Sequence, residues 1–326
     1  MAVLILLILL ALIFGYLNGF SDSSNIVATI ISSRALSPRV ALAMIAVAET
    51  VSPFIFGVAV AHTIGQGIVS PKDISAGVVL ATLVSAIFWS LFTWFFGIPS
   101  SSSHALVGGF IGAILAGPGI QAIQTAGIMK ILIFLFVAPF LGFLVGFLIT
   151  RITYFLARKA SPRINQFFRQ GQIITGIALG LSYGANDSQK TIGMVALALV
   201  VTHTLDQFSV PTWVIAVSSL AIALGTVTGS WRLIRTLGGR FYKIRPVNGF
   251  CSQIASASVI LTSGLLGGPV STTQVVSSAI LGVGSAERIS KVRWGVAGQI
   301  VVAWFLTIPT TALFSALVFV LIRPLM

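Results

Sequence analysis

The chain has 326 residues, of which 56% are hydrophobic and only 8% charged, and its mean hydropathy is +1.05. These values exclude a soluble enzyme and a disordered scaffold, because a water-exposed surface of this size with so few ions would aggregate. The net charge of +13 gives no case for nucleic acid either, since the basic residues sit in short clusters between apolar runs, where the positive-inside rule places them.

A helix needs about 20 apolar residues to cross the hydrocarbon core. Runs of that scale lie near 2–33, 40–61, 76–118, 126–150, 171–201, 213–231, 247–286 and 295–322. The first has no basic residue before Arg34, so it reads as a membrane helix and not as a secretory signal. Four basic clusters separate the runs: Arg34 with Arg39; Arg151, Arg158, Lys159, Arg163 and Arg169; Arg232, Arg235, Arg240, Lys243 and Arg245; and Arg288, Lys291 and Arg293. If all four lie in the cytoplasm, the runs 76–118 and 247–286 become hairpins that open to opposite sides, and both termini face outward. The single cysteine, Cys251, leaves no intramolecular disulfide and no cysteine-based metal cluster.

The two halves share sequence. Asn18-Gly19-Phe20-Ser21-Asp22-Ser23-Ser24-Asn25 aligns with Tyr183-Gly184-Ala185-Asn186-Asp187-Ser188-Gln189-Lys190 at an offset of 165. Pro99 to His104 then aligns with Pro269 to Gln274 at an offset of 170, and Gly112 falls on Gly282. Two matches in order, with opposite expected orientation, predict an inverted-topology repeat with discontinuous helices: 1–150 as the first repeat, 151–170 as a cytoplasmic basic linker and 171–326 as the second repeat. The fold class is an all-α polytopic membrane protein of about 8–10 membrane segments.

Asp22 and Asp187 interrupt long apolar stretches, and an ionised carboxylate at that depth needs a partner or a bound ion. The Gly, Ser and Asn residues beside them predict local unwinding, which frees backbone carbonyls to join each carboxylate around a small cation such as Na⁺. A plain helix cap is the simpler alternative. Pro99 to His104 and Pro269 to Gln274 each place a proline and a run of hydroxyls before a helical pattern, so backbone N–H groups and hydroxyls converge at a helix N-terminus suited to a tetrahedral oxyanion. Ordinary N-caps would use the same residues. Lys190, at the repeat position of Asn25, either supplies a built-in cation, contacts the substrate, or snorkels to an interface. Glu49 and His104 are candidates for a proton relay or for structural hydrogen bonding. Asp73, Asp206 and Glu287 fall in expected loops.

At these residues the sequence resembles the inorganic phosphate transporter (PiT) family, in particular its shorter bacterial members. Gly184-Ala185-Asn186-Asp187 is that family's GAND signature, Gly19 to Asn25 looks like its first-repeat copy, and the two hydroxyl runs resemble its hairpin-tip motifs. The resemblance implies cation-coupled symport of inorganic phosphate, with Na⁺ or H⁺, across a plasma (inner) membrane, by a homodimer that needs no cofactor. Carried over residue by residue, Asp22, Asn25, Asn186 and Asp187 would line the coupling-ion and substrate region. Ser101, Ser102, Ser103, Ser271, Thr272 and Thr273 would hold the phosphate, with Lys190 beside them. Ser21, Gln274 and Gln253 depart from the family pattern, standing where Asn, His and Glu are usual. The residues themselves leave other readings open: transport of sulfate, a channel, or an intramembrane hydrolase using a serine with His104 or Lys190 as base.

Overall fold

The computed structural model describes residues 1–69, 74–98, 100–229, 245–292 and 294–325. Pro99, Asp73, Arg293 and the basic residues from Arg232 to Lys243 lie outside the described residues. Among the described residues the chain is helical and holds no strand; one β-bridge pairs Val69 with Ile123.

Among the described residues, five stretches are long and apolar enough to cross a membrane: helix α1 (Ala2–Ser32), α2 (Pro38–Phe56), α4 (Ala76–Phe96), α6 (Thr125–Ala157) and Trp304–Ile322 of α12 (Trp294–Ile322). Large apolar side chains such as Phe140, Leu156, Ile174 and Leu313 stand about three-quarters exposed, while Asp22, Asp187, Lys190 and Glu49 are buried. That inversion of the soluble pattern is what lipid as solvent produces. The chain is a multi-pass helical membrane protein.

The other α-helices among the described residues are α3 (Ala59–Gln66), α5 (Ser102–Ala116), α7 (Ile164–Tyr183), α8 (Gln189–Val201), α9 (Thr212–Thr228), α10 (Pro246–Leu265) and α11 (Thr272–Glu287). The run expected over 40–61 is two helices, because Gly57 takes φ 78° after Pro53 and ends α2. Most of 151–170 is helical, since α6 continues to Ala157 and α7 starts at Ile164. Glu287, expected in a loop, is the last residue of α11 and lies 3.6 Å from the exposed Arg245.

Both hairpins form, α4–α5 and α10–α11, and both turn the same way. Gly97 follows α4 at φ 67° and Gly267 follows α10 at φ 69°, a left-handed conformation that favours glycine. In the first, the Gly97 N–H donates to the Trp94 carbonyl and the Ile98 N–H to that of Thr93; in the second, Gly267 donates to Gly264 and Gly268 to Ser263. These paired bonds are the Schellman closure of a helix C-terminus. The next helices are capped alike, with Ser101 Oγ accepting from His104 N–H and Ser271 Oγ from Gln274 N–H.

The long helices pack across the halves. α6 lies along α11 and α12 along α5, and α1 lies along α9 and α7 along α2; within each half, α4 rests on α1 and α10 on α7. Gly112 and Gly282 permit two of these contacts: a Cβ at Gly112 would stand 1.9 Å from the Ala312 carbonyl oxygen, and one at Gly282 would stand 2.1 Å from that of Phe143. Backbones this close admit only glycine, as is common between membrane helices.

Candidate functional site

Asp22 and Asp187 come together at the tip of the second hairpin. Thr273 Oγ1 donates to Asp22 Oδ1 at 2.6 Å, and Thr272 Oγ1 donates to Asp187 Oδ2 at 2.8 Å. Two adjacent hydroxyls at the N-terminus of α11 thus reach one carboxylate from each half. Asn25, one turn beyond Asp22, donates to Asp22 Oδ1 at 3.3 Å and to Thr273 Oγ1 at 3.2 Å. Lys190 Nζ pairs with Asp187 Oδ1 and donates to the Val270 carbonyl at 3.2 Å. Asn186 clasps the turn itself, donating to the Gly268 carbonyl at 3.0 Å and accepting from Val270 N–H at 3.2 Å.

The first hairpin meets this assembly tip to tip. Ser103 Oγ donates to the Val270 carbonyl at 2.7 Å. His104 and Gln274, which share a repeat position, face each other, with the Gln274 amide nitrogen 3.4 Å from His104 Nδ1. His104 Nδ1 also lies 2.8 Å from Ser101 Oγ. Ser102, with Ser100, Asn18, Ser21, Asp22, Thr93 and other residues, lines a cavity of about 30 Å³.

Several expectations need correction. No unwinding occurs at Asp22, because α1 is continuous from Ala2 to Ser32. Ser23 and Ser24 donate back to the carbonyls of Phe20 and Ser21, each at 2.8 Å, a back-bonding that a helix accommodates. At Asp187 the chain forms a π-helical turn over Gly184–Ser188 and stays helical, the sort of local widening found at functional sites. The hydroxyls divide into two kinds: Ser101 and Ser271 are N-caps, while Thr272 and Thr273 are spent on the carboxylates. Lys190 does not snorkel, being 0% exposed, and its ammonium is held by Asp187 and Val270.

Glu49 is buried and accepts from Thr226 Oγ1 at 2.6 Å. Gln253 holds a neutral position, donating to Thr29 Oγ1 at 2.9 Å and accepting from Thr175 Oγ1. Three residues were missed by sequence reasoning. Gln189 spans the break between α2 and α3, accepting from Val60 N–H at 2.6 Å and donating to the Gly57 carbonyl at 2.8 Å. Thr226 is the partner of Glu49. Asn18 is buried on the cavity wall with neither amide atom hydrogen-bonded. Its place one turn before Asp22 was the available signal.

Long apolar helices enclosing a polar cluster, with two hairpins meeting at its centre, have the build of a multi-pass membrane transporter. The chain belongs to the phosphate transporter family: the model of that family (PHO4) matches residues 18–315. A protein of Rhizobium meliloti (strain 1021) named "Probable low-affinity inorganic phosphate transporter" is 42% identical over 313 residues, covering 95% of this chain and 94% of its own length. One of the same name from Bacillus subtilis (strain 168) is 39% identical over 324 residues, covering 98% and 97%. A solved structure titled "The sodium-dependent phosphate transporter" superposes with a TM-score of 0.90 at 25% identity, covering 100% of both chains.

Proposed function

We propose that the chain carries inorganic phosphate across the plasma membrane by cation-coupled symport with alternating access, working as a homodimer. The carrying observation is that Thr272 and Thr273, adjacent at one helix N-terminus, each donate to a carboxylate from a different half. A hydroxyl has one proton to donate. While Thr273 spends it on Asp22, a phosphate oxygen at the hairpin tip goes without it. A Na⁺ or H⁺ on Asp22 removes the need for that bond and frees the hydroxyl to turn to the anion. Cation and phosphate then favour each other's binding, which is the thermodynamic content of coupling.

In this reading Asp22, Asn25, Asn186 and Asp187 form the coupling-ion region, and Na⁺ is the metal ion considered at the two carboxylates. Ser102, Ser103, Thr272 and Thr273 supply hydroxyls to the phosphate, and Ser101 and Ser271, whose side chains cap the two helices, supply backbone N–H groups. Glu49 and His104 are the groups assigned to any proton relay. The division into repeats, 1–150 and 171–326 about the 151–170 linker, is supported by the matched Schellman turns and by the crossed packing of the long helices.

The cargo is assigned to phosphate over sulfate on chemistry. Phosphate at neutral pH carries a P–OH donor that sulfate lacks, and a nearby carboxylate acceptor left unpaired by sulfate would disfavour it. Uptake of labelled phosphate into proteoliposomes, with Na⁺ and pH gradients imposed separately and sulfate as competitor, tests the reading. Uptake that ignores both gradients would refute coupling, and equal competition by sulfate would refute the cargo.

A further inference from the structure

Lys190 occupies the repeat position of Asn25, and the two treat their carboxylates differently. Asp22 is bonded to Asn25 and Thr273, both neutral. Asp187 is bonded to Thr272 and to the Lys190 ammonium. That ammonium sits between a carboxylate oxygen and a hairpin-tip backbone carbonyl, Val270, and this pair of oxygen types is what a small hard cation takes as ligands at a broken membrane helix. The Asp187 carboxylate and the Val270 carbonyl hold the buried ammonium in place. Asp22, Asp187 and Lys190 together carry one net negative charge when ionised; with Asn at position 190, as at position 25, they would carry two. Charge buried at this depth has to be balanced.

We propose that Lys190 is a tethered replacement for one coupling cation: its ammonium permanently neutralises Asp187, so only the Asp22 half takes up a free cation. The chain therefore moves one cation fewer per phosphate than it would with a neutral residue at 190. This rests on the cation-coupled reading above.

The test compares the wild type with Lys190→Asn and Lys190→Gln, and with Lys190→Arg as the charge-keeping control. Purified proteins in liposomes are given equal tenfold Na⁺ and H⁺ gradients together, with membrane potential clamped at zero, and the limiting phosphate accumulation is measured. Each additional coupled cation multiplies that limit by about ten, so the neutral variants should exceed the wild type and Lys190→Arg by that factor. The same preparations are melted in Na⁺ and in choline at constant ionic strength. A neutral variant that is too impaired to transport should still show a Na⁺-dependent rise in Tm larger than that of the wild type. Unchanged accumulation overturns the proposal, and so does a transport-dead neutral variant with no gain in Na⁺ stabilisation. If the wild type accumulates no phosphate under either gradient, the coupled reading itself fails, while the melting comparison still judges Lys190.

Discussion

The hydroxyls at the hairpin tips divide by whether or not their oxygen caps a helix, which separates scaffold from site. Ser101 and Ser271 accept from the N–H groups of His104 and Gln274; replacing either by Ala should lower stability by about 1–2 kcal/mol, as loss of an N-cap does, and leave phosphate affinity in the surviving protein close to normal. Thr272 and Thr273 differ, because their bonds end on carboxylates. Substituting Thr272, Thr273, Ser102 or Ser103 by Ala removes a charge-assisted donor to the anion, worth roughly 1.5–3 kcal/mol, and should weaken phosphate affinity about ten- to a hundredfold. Val or Cys at these positions should do likewise. Phosphate binding and thermal melting on the same purified variants distinguish the two groups. Intact affinity across all four would dismiss the hydroxyls as ligands.

The carboxylates were legible in the sequence because an ion inside an apolar run is a strong contrast. Asn18, Gln189 and Thr226 were not, since a neutral polar residue among many Ser, Thr and Asn residues gives no contrast. Their roles follow from contacts 129 to 177 positions away in the chain for Gln189 and Thr226. Asn18 is known only by its setting on the cavity wall.

At the scale of elements, the two hairpins depend on a left-handed glycine each. A Cβ added at Gly97 would meet nothing within 4 Å, so Gly97→Ala isolates the conformational effect of φ 67°. It should destabilise the protein by roughly 1–2 kcal/mol, and Gly97→Asn by less, because Asn visits this region more readily. Equal melting for glycine, asparagine and alanine would show that the Schellman closure contributes nothing. Hairpin limits and the hydroxyl-first helix starts were readable from the apolar runs and the Ser/Thr clusters. The continuous α1 was not: Gly, Ser and Asn beside Asp22 have low intrinsic helix preference, and tertiary packing against α9 overrides it. The π turn at Gly184–Ser188 was equally hidden, since it depends on how Gly184 seats against the Glu49 backbone, where a Cβ would stand 2.5 Å from the carbonyl oxygen.

For the whole molecule, orientation is set by charge. The exposed His62 of α3 and the exposed Arg163 between α6 and α7 should lie on opposite faces. Cysteines placed there one at a time should react with an impermeant reagent from outside and only from inside, respectively, with the buried Cys251 silent. Labelling of both from one face would break the opposed-hairpin topology. The reading as a coupled transporter rests on the carboxylates themselves, so its most direct test is phosphate uptake by Asp22→Asn in proteoliposomes under separate Na⁺ and H⁺ gradients, beside the wild type. Uptake by the wild type should be driven by at least one of the gradients, and the folded Asp22→Asn protein should lose that driven component. Gradient-driven uptake by Asp22→Asn at the wild-type rate would contradict the account.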